Sequence, residues 1–197
     1  MNKNTTVKPL AQGHLLEILR MQVETNDTYD ANWRDNNTLL QFKTAAGVER
    51  TEMLDEIEVL WKWYEPNPTW EPEKALFELV DTVHFAASCL LIGRPVGVED
   101  KLKTFELSSH VYTGVDAFKE ADDWWVSFTN SMGMGSIMVQ PCESLCYYIG
   151  AMVSVLGYTH EQYMAAHYKK NQRNLERANG GVMVGSYDKS AEVPLEL

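Results

Sequence analysis

The sequence predicts an all-α helical bundle, and three observations support this fold class. Apolar residues recur at the three- and four-residue spacing of a helix along most of the chain. Proline and glycine fall where these segments begin or end. No segment shows the alternation of apolar and polar residues that is typical of a half-buried strand. With 197 residues, the chain is long enough to form one domain around its own hydrophobic core.

Five helices are predicted from the apolar spacing, with a polar stretch after the first. Pro66 and Pro68 are expected to end the second helix, because proline cannot continue a helix interior. Pro72 suits the first turn of the third helix. Thr159 and Gln162 form a capping box that starts the last one. The predicted helices cover residues 10–24, 39–64, 72–91, 141–156 and 159–178.

The stretch 97–140 shows the least regular pattern. Trp124 and Trp125 fall in a segment that is compatible with a short helix, and the run Met132 to Ser136 is typical of a flexible loop. We therefore predict a single domain over residues 1–197, with an insertion or cap at about 97–140.

Composition excludes several classes of protein. The chain has 28 acidic and 17 basic residues, a formal net charge of -11, which argues against binding to nucleic acid. No apolar stretch is long enough to span a membrane, and the first eight residues do not resemble a signal peptide. The odd count of 3 cysteines favours reduced thiols and a cytoplasmic protein. Cys142 and Cys146 lie one helical turn apart, but with no further cysteine or histidine nearby, buried small side chains are favoured over a zinc site.

The third helix carries two acids within an otherwise apolar sequence. Glu78 and Asp81 are three residues apart and so share a face, with His84 one turn further along. Two like charges in an apolar setting are unfavourable unless they are protonated or bound to a cation. The alternative interpretation is a solvated helix face.

A second acidic pair, Glu49 and Glu52, repeats this spacing on the preceding helix. Two helices that each present a carboxylate pair could form a four-carboxylate site, and such oxygen ligands suit Mg²⁺. The register stays open, because Glu52 with Asp55 would also form a pair.

The last helix carries a basic and amide-rich stripe. Lys170, Asn174 and Arg177 follow at helical spacing, with Asn171 beside them. Such side chains suit a polyphosphate, whereas the alternative is a basic helix end that complements the helix dipole. Together the acidic pairs and this stripe indicate a site for a nucleoside triphosphate with a metal ion.

Four motifs in this order resemble those of a known family. They are Glu49-x-x-Glu52, then Trp61-Lys62-Trp63, then Glu78-Leu79-Val80-Asp81-Thr82-Val83-His84-Phe85, and Lys170-Asn171-Gln172-Arg173-Asn174-Leu175-Glu176-Arg177. They are similar to motifs of the dimeric all-α dUTPases and phage dCTPases, which belong to the MazG-like nucleotide pyrophosphohydrolases. The segment Met21-Gln22-Val23-Glu24-Thr25-Asn26 resembles the part that contacts the base. The resemblance covers residues 15–92 and 145–189.

The resemblance implies a role for each matching residue. Two or three Mg²⁺ ions would bind to Glu49, Glu52, Glu78 and Asp81, and Glu52 would be the base that activates water. The pyrimidine ring would face Gln22 and Asn26, and Trp61 (or Trp63) and His84 would shape the pocket around it. The phosphates would contact Lys170, Asn171, Asn174 and Arg177, with Tyr187 and Lys189 in the closing tail. A homodimer is implied as well, and a phage-encoded enzyme that acts in the host cytoplasm fits the same resemblance.

The resulting hypothesis is Mg²⁺-dependent hydrolysis of dUTP to dUMP and pyrophosphate. A dCTPase, or an enzyme that accepts both nucleotides, stays open, because the amides of Gln22 and Asn26 can flip and pair with either base. A di-iron bundle is disfavoured because it needs two Glu-x-x-His motifs, and only Asp81-x-x-His84 approaches one. A non-catalytic helical protein with a partner surface at Trp124 and Trp125 is the remote alternative.

Overall fold

The structure is a computed structural model that describes residues 5–94, 97–132, 139–180 and 195–197. Within these ranges the chain forms eight α-helices and one antiparallel pair of short strands, β1 (Thr5–Val7) and β2 (Tyr112–Val115). The helices are α1 (Gln12–Tyr29), α2 (Trp33–Asn36), α3 (Leu39–Asp55), α4 (Pro72–Leu91), α5 (Val98–Lys101), α6 (Ala117–Ser131), α7 (Val139–Leu156) and α8 (His160–Asn179). The all-α class is confirmed. The strand pair was not predicted, since three or four residues are too few to show an alternating pattern.

Helix α4 is the centre of the bundle. It packs against α1, α3, α7 and α8, and its apolar side chains form much of the core. Pro72 occupies its first turn as predicted, and Gly93, with a φ of +67°, follows its C-terminal end. Glu78 and Asp81 are only half-buried between fully buried neighbours. Helix α4 therefore fixes these two acids on a rigid element at the edge of the core.

Gly150 of α7 allows the N-terminal segment to cross this helix in close contact. The backbone N–H of Leu10 donates to the carbonyl of Cys146 at 2.9 Å. A Cβ on Gly150 would lie 1.9 Å from the carbonyl oxygen of Lys8 and 3.1 Å from the Cα of Pro9. Backbone atoms cannot rotate away as a side chain can, so this crossing requires glycine.

Replacing Gly150 by alanine is expected to lower the free energy of unfolding by about 3 kcal/mol, the upper part of the range for overpacking a core. Denaturant titration measures this change. Gly47→Ala is the matched control, because nothing lies within 4 Å of a Cβ at that position of α3. We expect Gly47→Ala to be neutral or stabilising by up to about 1 kcal/mol, through helix propensity. Equal stability of the two variants would contradict the close crossing.

Two predicted helix ends were wrong. Helix α1 continues to Tyr29 rather than ending at Glu24, because its last turns bear polar residues that line a cavity and so show no apolar spacing. Helix α3 ends at Asp55, well before Tyr64. The indole N–H of Trp61 donates to the carbonyl of Leu54 at 2.9 Å, which satisfies one of the backbone acceptors exposed at a helix end.

The loop that follows α3 is closed by its own backbone. The N–H of Glu71 donates to the carbonyl of Glu56 at 2.8 Å, and the N–H of Val59 donates to the carbonyl of Thr69 at 3.2 Å. These bonds bring α4 back beside α3. The prolines at 66 and 68 therefore lie within this loop instead of ending a long helix.

Helix α6, within the predicted insertion, belongs to the core. It packs along α7, and its Trp125 and Phe128 are buried. The Trp124 ring stacks on Tyr147 with centroids 4.4 Å apart and planes at 16°. The two tryptophans thus pack against the protein, which removes the exposed aromatic surface required by the alternative of an interaction protein. Residues 133–136 of the predicted flexible loop lie outside the described residues.

Two further features agree with the sequence predictions. The side chain of Thr159 accepts from the backbone N–H of Gln162, and the reciprocal bond completes the capping box of α8. Cys142 and Cys146 are buried, free thiols, and burial raises the pKa of Cys142 to about 12. No helix in the described ranges combines the length and apolarity needed to span a bilayer.

Candidate active site

Three glutamates from α3 and α4 form an acidic cluster. One carboxylate oxygen each of Glu49, Glu52 and Glu78 lies within 4.8 Å of the others. Glu52 is exposed, whereas Glu49 and Glu78 are half-buried. The structure thus brings Glu52 together with Glu49, and Asp55, the other candidate for the pair, lies one turn further along α3. We call Glu49, Glu52 and Glu78 the glutamate cluster.

The glutamate cluster has the electrostatics of a cation site. Burial, followed by the negative charges of Asp81, Glu52 and Glu78, raises the pKa of Glu49 to about 7. Burial also raises the pKa of Glu78 from its ordinary value of 4.5. A divalent cation would relieve this repulsion, and carboxylate oxygens are the ligands that Mg²⁺ prefers. The residues present therefore fit a bound Mg²⁺.

Asp81 joins this cluster to the basic stripe on α8. Its Oδ2 lies 2.5 Å from the Nζ of Lys170, and its Oδ1 lies 3.5 Å from the Nδ1 of His84. Burial raises the pKa of Asp81, but its contacts with His84 and Lys170 outweigh burial and hold that pKa below its ordinary value of 3.8. Asp81 is thus ionised, and it fixes the Lys170 ammonium beside the glutamates.

Stabilisation by Mg²⁺ is expected to depend on the protonation of Glu49. Because the pKa of Glu49 is raised to about 7, the metal-free protein gains stability from protonated Glu49 at low pH, and this gain is lost as the pH rises from the ordinary value of 4.5 through 7. Mg²⁺ must displace the proton, so its apparent affinity should be about tenfold weaker at pH 6 than at pH 8. The Mg²⁺-induced rise in Tm at both pH values measures this.

Two variants control this measurement. Glu49→Gln should reduce the difference between the two pH values, because it removes the competing proton. Asp55→Asn should keep that difference, since this exposed acid is outside the glutamate cluster. An equal Mg²⁺-induced rise in Tm at pH 6 and pH 8 for the unaltered protein would contradict the proposed coupling.

A cavity of about 500 Å³ opens beside the acidic cluster. Glu49 and Asp81 form part of its wall, together with side chains from α1, α2, α8 and the start of α3. Five of the predicted substrate-binding residues line it: Gln22, Asn26, His84, Asn174 and Arg177. An acidic patch at one side of a polar and aromatic cavity is suited to a ligand with a phosphate end and a planar end.

Aromatic side chains that the sequence analysis did not assign also line this cavity. They are Tyr29, Trp33, Phe42 and Phe85. Trp33 is buried, its indole N–H donates to Asp27 at 2.7 Å, and its ring meets Phe42 edge to face at 6.0 Å. Trp33, an aromatic residue in the polar stretch that follows the first predicted helix, was the sequence feature that could have identified this wall.

The basic stripe of α8 divides between two roles. The Nδ2 of Asn174 lies 3.3 Å from the Nδ1 of His84, and Arg177 donates to the Oδ1 of Asn174 at 3.3 Å. Asn171 instead is buried and accepts from the hydroxyl of Thr25 at 2.7 Å. Asn174 and Arg177 therefore face the cavity, whereas Asn171 joins α8 to α1.

Among the described residues that were predicted to contact the substrate, Trp61, Lys170 and Asn171 do not line this cavity. The indole N–H of Trp61 donates to a backbone carbonyl of α3, so this side chain packs against the helix and not against the cavity. Tyr187 and Lys189 lie outside the described residues.

A glutamate cluster beside a cavity lined by Asn174 and Arg177 is an arrangement that fits a metal-dependent phosphohydrolase. A family model described as dUTPase matches residues 14–181, so the chain belongs to the all-α dUTPase family. Membership of this family implies a nucleotide pyrophosphatase type of enzyme. No curated protein matches the sequence.

Proposed function

We propose that this protein is a Mg²⁺-dependent dUTP pyrophosphatase, which hydrolyses dUTP to dUMP and pyrophosphate. The observation that carries the proposal is the glutamate cluster at the edge of a cavity lined by Asn174 and Arg177. This cavity combines ligands for a cation, donors for phosphate oxygens and amides for a base. The match to the dUTPase family supports the same chemistry.

The glutamates would hold the metal and move a proton. Glu49 and Glu78 are half-buried and positioned by the helices that pack around them, so they would act as fixed Mg²⁺ ligands, with the ionised Asp81 beside them. When bound, Mg²⁺ neutralises phosphate charge and lowers the pKa of water. Glu52 is exposed within the glutamate cluster, so it would accept the proton of the attacking water. Two or three Mg²⁺ ions would bind per site, as the family resemblance implies, and titration calorimetry measures this number.

The cations of α8 would stabilise negative charge on the phosphates. Lys170 is held beside the glutamates by Asp81, and Arg177 is oriented by Asn174. Fixed donors of this kind stabilise the charge that develops on a leaving pyrophosphate. The aromatic wall near Trp33 and Phe42 would exclude water from the base.

A panel of dUTP, dCTP, dTTP, dATP and dGTP with Mg²⁺ tests this function, with kcat/KM measured for each nucleotide. We expect dUTP to be the preferred substrate and the activity to be lost with a chelator. Preference for dCTP would keep the chemistry and overturn the choice of base. Activity on purines alone would overturn the assignment to pyrimidines, and no turnover of any nucleotide would refute the proposed function.

We also propose a homodimer, as the family resemblance implies. The loop between α3 and α4 exposes aromatic side chains, among them Trp63, which is 91% exposed, and Tyr64. Burial of such side chains against a second copy would be favourable. Analytical ultracentrifugation should give the mass of two chains, and the mass of one chain at micromolar concentration would contradict the dimer.

A further inference from the structure

Ser88 of α4 lies behind the two amides that face the cavity. It is fully buried, and its hydroxyl oxygen lies 3.1 Å from the Nε2 of Gln22 and 3.0 Å from the Nδ2 of Asn26. The Gln22 Nε2 also donates to the Oδ1 of Asn26 at 2.9 Å. Gln22, Asn26 and Ser88 thus form one closed group of hydrogen bonds.

The direction of these hydrogen bonds follows from a backbone carbonyl. The Ser88 hydroxyl donates to the carbonyl oxygen of His84 at 3.1 Å, and a carbonyl oxygen can only accept. The single hydroxyl proton is used there, so the Ser88 oxygen can only accept from its other partners. Both amides must therefore turn their NH₂ groups toward Ser88.

This direction leaves Gln22 with a buried acceptor that has no partner among the residues that the structure describes. Both Nε2 protons are taken, by Ser88 and Asn26, while the Oε1 of Gln22 is buried without a hydrogen bond. If Gln22 flipped, its oxygen would face the Ser88 oxygen and the Asn26 Oδ1, two acceptors. An unpaired group in a buried site costs about 1–3 kcal/mol, which opposes the flip.

We propose that Ser88 is a positioning residue that fixes the orientation of the Gln22 and Asn26 amides and so makes the pocket selective for one pyrimidine. This inference rests on the proposed function. It replaces the expectation from sequence that these amides flip to accept either base.

Fixed amides distinguish uracil from cytosine because the two bases have opposite polarity at positions 3 and 4. Uracil has a donor at N3 and an acceptor at O4, whereas cytosine has an acceptor at N3 and a donor in its 4-amino group. In the proposed dUTP complex the Gln22 Oε1 accepts from N3–H. Cytosine in the same position would place its N3 acceptor against this oxygen.

The test is the ratio of kcat/KM for dUTP to kcat/KM for dCTP in Ser88→Ala. We expect this ratio to fall about tenfold toward one, because without the Ser88 oxygen the Gln22 and Asn26 amides can flip together. The Asn26 NH₂ group would then donate to the Gln22 Oε1, and no acceptor would face another acceptor. The kcat for dUTP should change little. Ser144→Ala is the matched control: Ser144 is also buried, but its hydroxyl contacts Ser127 away from the cavity, so the ratio should be unchanged.

A second substitution at Ser88 distinguishes an effect on amide orientation from a loss of folding stability. Ser88→Thr restores the hydroxyl and should restore the ratio, and a Tm measurement for each variant reports any loss of folding. An unaltered protein without preference between dUTP and dCTP would overturn the inference. An unchanged ratio in Ser88→Ala, or an equal fall in Ser144→Ala, would overturn it while leaving the proposed function intact. Absence of all nucleotide turnover would instead refute the proposed function itself.

Discussion

Glu52→Gln is expected to lower the kcat of Mg²⁺-dependent dUTP hydrolysis by about 1000-fold, within the range for loss of a general base. Glutamine keeps the size of the side chain but cannot accept the proton of the attacking water, and it is a weaker ligand for a cation. Because Glu52 is exposed, the Tm without Mg²⁺ should change by no more than a few degrees. Steady-state kinetics and thermal unfolding of the purified variant measure both effects.

Asp55→Asn is the matched control for Glu52→Gln. Asp55 is an exposed acid one turn further along α3 and lies outside the glutamate cluster. We expect its activity to stay within about twofold of the unaltered protein, as for surface charges away from a site. Glu52→Gln with more than a tenth of normal kcat would contradict the role of Glu52. A comparable loss of kcat in Asp55→Asn would indicate that Glu52 and Asp55 form the functional acidic pair.

Lys170→Met is expected to lower kcat/KM for dUTP by about 100-fold, the lower part of the range for loss of one fixed donor to developing negative charge. It should also lower the free energy of unfolding by a few kcal/mol, because it removes one partner of a mostly buried ion pair. Methionine fills similar space without the charge. The variant loses the proposed phosphate contact and leaves the carboxylate of Asp81 without its cation. Kinetics at varied dUTP concentration, combined with denaturant titration, separate these two losses.

Lys169→Met is the control for Lys170→Met. Lys169 is exposed on the same helix, and its ammonium contacts the backbone carbonyl of Glu196. Its activity should remain near that of the unaltered protein. If Lys170→Met and Lys169→Met reduced kcat/KM equally, Lys170 would have no specific role at the site.

The sequence predicted those parts of the fold that have strong local signals. Helix α4 starts at Pro72 and ends before Gly93, and α8 starts at the capping box of Thr159, so local residues determine these ends. The end of α3 depends instead on the Trp61 indole, which reaches back to the helix from the following loop. Such a tertiary contact leaves no periodic pattern in the sequence.

The candidate site was predictable where its residues belong to one helix. The spacing of Glu49 and Glu52, and of Glu78 and Asp81, identified the acids before the structure placed them in one region. Ser88 could not be identified in this way, since a serine in an apolar helix resembles any small core residue. Its role depends on contacts with another helix, α1.

Hydrolysis of dUTP to a monophosphate can be followed by ³¹P NMR of the products formed in the presence of Mg²⁺. The proposed function predicts dUMP and pyrophosphate in equal amounts, with no release of orthophosphate, and no reaction with Glu52→Gln on the same timescale. Formation of dUDP and orthophosphate, or no consumption of dUTP, would contradict it.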